Sequence, residues 1–141
     1  ENAKKEYIKV SEALKVRLAS KGSWIQSSGR WWYRHNNGSY TSNGWELING
    51  KWYHFDRSGW MQTGWVQSGS SWYYLSGSGD MQTGWVKSSG SWYYLNNSGS
   101  MQTGWFAVSG KWYYAYSSGA LAVNTTTPDG YHVNYNGEWI K

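Results

Sequence analysis

An all-β solenoid of stacked hairpins is the fold class that this 141-residue sequence predicts, and three observations predict it. Gly-Trp recurs at Gly44-Trp45, Gly64-Trp65, Gly84-Trp85 and Gly104-Trp105, and such a fixed short period is the mark of a repeat architecture. An aromatic triplet follows each pair at a constant offset, as Trp52-Tyr53-His54, Trp72-Tyr73-Tyr74, Trp92-Tyr93-Tyr94 and Trp112-Tyr113-Tyr114. Eighteen Gly and a single Pro, Pro128, supply many tight turns, because Gly reaches the positive φ values that short hairpins need.

Taken in order, residues 1–21 differ from the rest. Tyr7, Val10, Leu14 and Leu18 fall at helical spacing, with Glu1 and Glu6 early and Lys15, Arg17 and Lys21 late, so a short amphipathic helix is expected, stopped near Gly22. Its role is to cap the open end of the solenoid or to link it to a preceding domain. Residues 22–141 form the repeat domain, with about five hairpins and a C-terminal cap. The first copy is degenerate, with Ser23-Trp24 for Gly-Trp and Trp31-Trp32-Tyr33 for the triplet. In a regular copy, Gly84–Lys87, Ser88-Ser89-Gly90 and Ser91–Leu95 read as strand, turn and strand. Gly59, Gly79, Gly99 and Gly119 mark a second turn, followed by Met61, Met81, Met101 and Leu121. A lone hairpin is marginal in water, so consecutive hairpins must stack and share a core.

Thirteen Trp and 13 Tyr against two Phe mean that almost every large apolar side chain has a polar handle, which suits half-exposed, ligand-touching surfaces. No Cys is present, which removes disulfides and thiolate metal sites. A formal charge of +5, spread thinly beyond residue 21, argues against a nucleic-acid stripe. No apolar run is long enough to span a bilayer, and no signal-peptide pattern opens the sequence. The three His and eight acids form neither a metal-ligand motif nor a nucleophile constellation, so no catalytic residue, metal or cofactor is expected. His35 and His132 read as solvent-facing, and Asp56, Asp80 and Asp129 as turn residues that hydrogen-bond locally.

Side chains alternate along a strand, so Trp92 and Tyr94 share one face and Tyr93 and Leu95 the other. The two Trp of a repeat, across a short turn, supply two walls on one face. The stacked hairpin one repeat later offers the third aromatic of its triplet, and a Met lies in the connection between. Such a cage suits a quaternary ammonium, because π-faces attract a diffuse cation at roughly 0.5–2 kcal/mol per contact. Tyr53, Tyr73, Tyr93 and Tyr113, on the opposite face, read as packing. Single cages bind loosely, whereas several along one chain gain avidity on a polymer of about 10²–10⁴.

The units GWVQSGSSWYYLSGSGDMQT and GWVKSSGSWYYLNNSGSMQT, with the closing stretch SGALAVNTTTPDGYHVNYNGEW, resemble the choline-binding repeats of streptococcal autolysins, phage lysins and surface proteins, over about residues 23 to 139. The resemblance implies a left-handed superhelix of hairpins on a bacterial cell surface, holding choline or phosphocholine of teichoic and lipoteichoic acids between consecutive repeats. It implies three sites: Trp45, Trp52 and Tyr74 with Met61; Trp65, Trp72 and Tyr94 with Met81; Trp85, Trp92 and Tyr114 with Met101. A further site on Trp24 and Trp31 would receive His54, a wall only while neutral. Trp105 and Trp112, with no full repeat beyond them, are expected to pack on Tyr131, Tyr135 or Trp139 as a cap. The module is not itself an enzyme, although a parent protein such as a cell-wall hydrolase fits the resemblance. A glucan-binding repeat shares the composition, but flat sugar platforms need neither the regular Met nor a third wall. The exposed aromatic end at residues 131–139 offers a surface on which two chains can pair.

Overall fold

A computed structural model describes residues 22–141, and the helix expected over residues 1–21 lies outside the described residues. The described residues are all-β, with no helix. Five two-stranded sheets follow one another: β1 (Gly22–Ser27) with β2 (Arg30–His35), β3 (Gly44–Ile48) with β4 (Lys51–Phe55), β5 (Gly64–Ser68) with β6 (Ser71–Leu75), β7 (Gly84–Ser88) with β8 (Ser91–Leu95), and β9 (Gly104–Val108) with β10 (Lys111–Ala115). A small three-stranded sheet closes the chain, ordered β11 (Thr125–Thr126), β12 (His132–Val133), β13 (Trp139–Ile140). The five expected hairpins are therefore present. The small sheet stands where the C-terminal cap is expected.

The hairpin turns explain why the strands end where they do. In β7–β8, Ser88 pairs with Ser91, which leaves a two-residue loop with φ 49° at Ser89 and 84° at Gly90. Two positive φ values in succession match the twist of the flanking strands, and the glycine takes the second at no steric cost. Asn49-Gly50 and Ser109-Gly110 repeat the pattern. After each hairpin a second turn forms around a side-chain acceptor. Asp56 accepts the amides of Ser58 and Trp60 through Oδ1, both at 2.9 Å, and Asn96 accepts those of Ser98 and Ser100 at 2.9 and 3.0 Å. The expectation that Asp56 bonds locally is met in this way.

Contacts divide the chain into two compact units, one running to Gly64 and including Leu75–Met81, the other made of Trp65–Tyr74 and Gln82–Lys141. In the first, Tyr33, Ile48 and Phe55 form a buried cluster, with Trp24, Tyr53 and Met61 packed against it. In the second, the last residue of each second strand is the core residue, Leu95 at 0% exposure and Ala115 at 1%. Both lie on the strand face that alternation assigns to Tyr93 and Tyr113.

The connections bind hairpins to one another through backbone hydrogen bonds. Met61 N–H donates to the carbonyl of Trp31 at 2.7 Å, and Gln62 N–H to that of His54 at 2.9 Å, all in the first unit. In the second, Met101 N–H donates to Trp72 and Leu121 N–H to Trp92, both at 2.8 Å. Each connection thus returns past its own hairpin to the outer Trp of the one before.

His35 is a correction to the solvent-facing reading. Its Nε2 lies 2.8 Å from Glu46 Oε2 and its Nδ1 2.8 Å from Ser39 Oγ, with the side chain 16% exposed. Glu46, from the next hairpin, also accepts Thr41 Oγ1 at 2.6 Å, and fixes the loop between β2 and β3.

Candidate functional site

The two Trp of a hairpin share a face, as alternation requires, but they are not directly opposite. Trp85 pairs with Tyr94 and Trp92 with Lys87, so the two indoles are diagonal neighbours. Their roles divide. Trp85 is half-buried and meets the edges of two tyrosines, Tyr94 of its own hairpin at 4.8 Å and 62°, and Tyr113 of the next at 4.9 Å and 68°. Edge-to-face contacts of this kind contribute about 0.5–1.5 kcal/mol each beyond area burial, so the ring is held in one orientation. Trp92 has no such clamp and is 43% exposed. Its ring is free on one side, with the Lys87 ammonium 5.9 Å from the centroid.

The same clamp recurs at Trp24 and Trp65. Trp24 lies between Tyr33 at 5.1 Å and Tyr53 at 4.9 Å, and Trp65 between Tyr74 at 4.9 Å and Tyr93 at 4.8 Å. Trp65 also donates its Nε1–H to Ser88 Oγ at 3.2 Å.

Cavities open beside these clamps. In the first unit a cavity of ≈ 400 Å³ is lined by Trp24, Trp31, Tyr53 and Met61, with Gly77 and Ser78. In the second a cavity of ≈ 340 Å³ is lined by Trp85, Trp92, Tyr113 and Leu121, with Val123, Tyr135 and Asn136. Both fall within the range of small-ligand sites, about 300–1,000 Å³. At Trp65 and Trp72 the ring contact is repeated by Tyr93, and the Met101 amide donates to the Trp72 carbonyl.

This arrangement departs from the expected one in two ways. The third wall is the second aromatic of the next triplet: Tyr93 rather than Tyr94 stands against Trp65, and Tyr113 rather than Tyr114 against Trp85. Tyr74, Tyr94 and Tyr114 instead meet the inner Trp of their own hairpins, Trp65, Trp85 and Trp105. The reason is geometric. When hairpins are layered, the front of one meets the back of the next, and alternation puts the middle aromatic on the back. Tyr53, Tyr93 and Tyr113, read as packing, do pack on the inner Trp of the hairpin before, and Tyr53 and Tyr113 also line cavities there, a placement that sequence spacing missed.

The thioethers are also displaced by one repeat. Met61 lines the cavity on Trp24 and Trp31, not one on Trp45 and Trp52, because its amide is tied to Trp31. The amide of Met81 is likewise tied to Trp52, that of Met101 to Trp72 and that of Leu121 to Trp92. Of the remaining expected residues, Trp45 has its ring 4.7 Å from His54 of the same hairpin. His54 is accordingly no wall of the Trp24–Trp31 cavity, where Tyr53 stands. It is buried, 7% exposed, with Nδ1 hydrogen-bonded to Gln62 Oε1.

Glycine is required twice over in the second turn. Gly79 has φ 92°, and a Cβ there would lie 2.3 Å from Met61 Sδ; Gly119 has φ 89°, and its Cβ would lie 2.3 Å from Met101 Sδ. The turn is the lid under which each thioether sits. The tyrosine walls stay neutral: burial, and next the nearby Asp80 carboxylate, raise the Tyr53 phenol above its ordinary 10.0, and burial with Glu138 does the same for Tyr113.

One region expected to be a closed cap is open. Trp105 meets Tyr131 at 5.8 Å, as foreseen, but with Trp112, Asp129 and Trp139 they line a further cavity of ≈ 380 Å³.

Hairpins whose half-exposed Trp receive a Tyr and a flexible apolar side chain from later in the chain define a repeat module with aromatic cavities. The chain belongs to the choline-binding repeat family, whose profile matches residues 42–83 and 82–125. Its structure is similar to that of choline binding protein F from Streptococcus pneumoniae, solved in the presence of a peptidoglycan analogue, with 55% identity and a TM-score of 0.80 over 86% of this chain and 40% of that one. The modular autolysin LytC from Streptococcus pneumoniae is similar at 31% identity and a TM-score of 0.68, over 84% of this chain and 28% of that one. The lysozyme of Streptococcus phage Cp-1 is 55% identical over 29 residues, 21% of this chain and 9% of that protein. The chain spans less than half the length of each of these relatives.

Proposed function

We propose that the aromatic cavities hold the choline groups of cell-wall teichoic and lipoteichoic acids, and that the chain is a non-catalytic attachment module for a protein at the bacterial surface. The observation that supports this most is the repetition of one lining, Trp24, Trp31, Tyr53 and Met61, as Trp85, Trp92, Tyr113 and Leu121. Three π-faces and an apolar fourth side match a trimethylammonium group, which needs a diffuse negative surface and walls for its methyls but no hydrogen-bond acceptor. At roughly 0.5–2 kcal/mol per aromatic wall, less the cost of immobilising the ligand, one cage is weak. Several engaged by one polymer bind tightly. The solenoid belongs to the same reading, since each cage needs one hairpin layered on another.

Millimolar choline is expected to shift Trp fluorescence, raise the melting temperature and release the protein from a quaternary-amine resin. Unchanged fluorescence and melting across that titration, together with binding to a glucan, would replace this reading with carbohydrate recognition.

A further inference from the structure

The C-terminal cavity differs from the two described above in the chemistry of its lining. In the first cavity the turn residue in the lining is Ser78, and in the second Asn136, both neutral. The corresponding residue of the turn Thr127–Tyr131 is Asp129, and it lines a cavity whose other walls are Trp105, Trp112, Tyr131 and Trp139. Ser58, Ser98 and Ser118 hold the same place in the remaining turns, so a carboxylate occurs only here.

The carboxylate is held in position from two sides. Trp105 Nε1–H donates to Asp129 Oδ2 at 2.8 Å, and the Thr127 hydroxyl donates to Oδ1 at 2.6 Å. Thr127 is itself 3% exposed and accepts the Tyr131 amide at 3.1 Å, which anchors the turn. These donors, the Thr127 hydroxyl first, keep the acid below its ordinary range, so it is ionised at neutral pH. Each oxygen retains a lone pair for a further donor. A primary ammonium already faces this region, since Lys141 Nζ lies 5.9 Å from the Trp139 centroid.

We propose that this cavity is a separate site for an organic ammonium that carries N–H donors, a primary alkylammonium or a lysine-type side chain, bound by π-faces and hydrogen-bonded to Asp129. A quaternary ammonium satisfies the aromatic walls but has no proton for the carboxylate. The preference proposed for the neutral cavities is therefore reversed here. Because Asp129 is exposed, the discrimination is modest, roughly two- to fivefold, as for surface charge pairs.

The test follows the Trp105 indole N–H resonance of the ¹⁵N-labelled chain, identified by its loss in Trp105→Phe, during titration with ethanolamine, with Nα-acetyl-lysine amide and with choline. Either amine is expected to shift it at concentrations about two- to fivefold below choline, and the arm that responds at the lower concentration identifies the source as a small amine or a peptide side chain. Asp129→Asn removes the preference, while the choline response of Trp24 and Trp85 persists. Choline equal to or better than both amines at Trp105, no shift with any of the three, or a preference that survives Asp129→Asn overturns the proposal. Failure at Trp105 leaves the choline reading of the other cavities intact, since their resonances report separately.

Discussion

Tyr93 and Tyr94 are neighbours of one residue type on one strand, and replacing each separately distinguishes a cage wall from a hairpin brace. Tyr93 stands 4.8 Å from Trp65, whereas Tyr94 stands 4.8 Å from Trp85 and stacks on Phe106 at 5.4 Å and 19°. Tyr93→Ala removes one of three π-walls from the site on Trp65 and Trp72. At about 0.5–2 kcal/mol per cation–π contact, choline binding there weakens roughly two- to thirtyfold. Tyr94→Ala leaves that site's walls in place and changes affinity there by less than about twofold. It instead removes a half-buried ring from two aromatic contacts, which costs about 2–3 kcal/mol, somewhat below the loss for a fully buried aromatic. The Trp65 indole N–H, which donates to Ser88, provides a resonance to follow in a choline titration, and calorimetry gives the melting temperature. Equal losses of affinity at Trp65, or a larger loss in Tyr94→Ala with its fold intact, would refute the assignment of the middle aromatic as the third wall.

Two further outcomes follow from the same geometry. Gly119→Ala combines a positive φ with a Cβ 2.3 Å from Met101 Sδ, a conflict worth about 2–4 kcal/mol, so its melting point falls by several degrees and Met101→Ala restores only part of it. A melting curve matching the parent chain would show that the turn yields at little cost. The second concerns pH. The phenols of Tyr33, Tyr53 and Tyr113 are raised in the folded chain, chiefly by burial and then by Glu46, Asp80 and Glu138 respectively. Their neutral forms are favoured by folding, so this stability is fully present below about pH 10 and is lost as pH rises through the higher folded values. Urea midpoints should hold from pH 7 to 9 and fall above 10; a fall that begins near pH 8 would require another titrating group.

Much of the fold was legible in the residues because its determinants are local. A two-residue loop containing glycine sets each hairpin, with glycine second in four of them and first at Gly69-Ser70, and alternation then fixes which side chains share a face, so Trp85 and Trp92 could be placed together from spacing alone. The positions of Gly79 and Gly119 likewise announced turns. Their second duty, leaving room for Met61 and Met101, appears only once the thioethers are in place.

The aromatic repeat by itself thus determined the hairpins, the pairing of indoles on one face and the membership of a family that binds choline. The tertiary structure decided which Tyr and which Met complete each cavity. Those choices depend on the front of one hairpin meeting the back of the next, and on amides such as that of Met101 reaching the carbonyl of Trp72, contacts between residues far apart in sequence. The same distance hid the C-terminal cavity, because nothing in the spacing of Trp105 and Trp112 says that Asp129, Tyr131 and Trp139 return beside them.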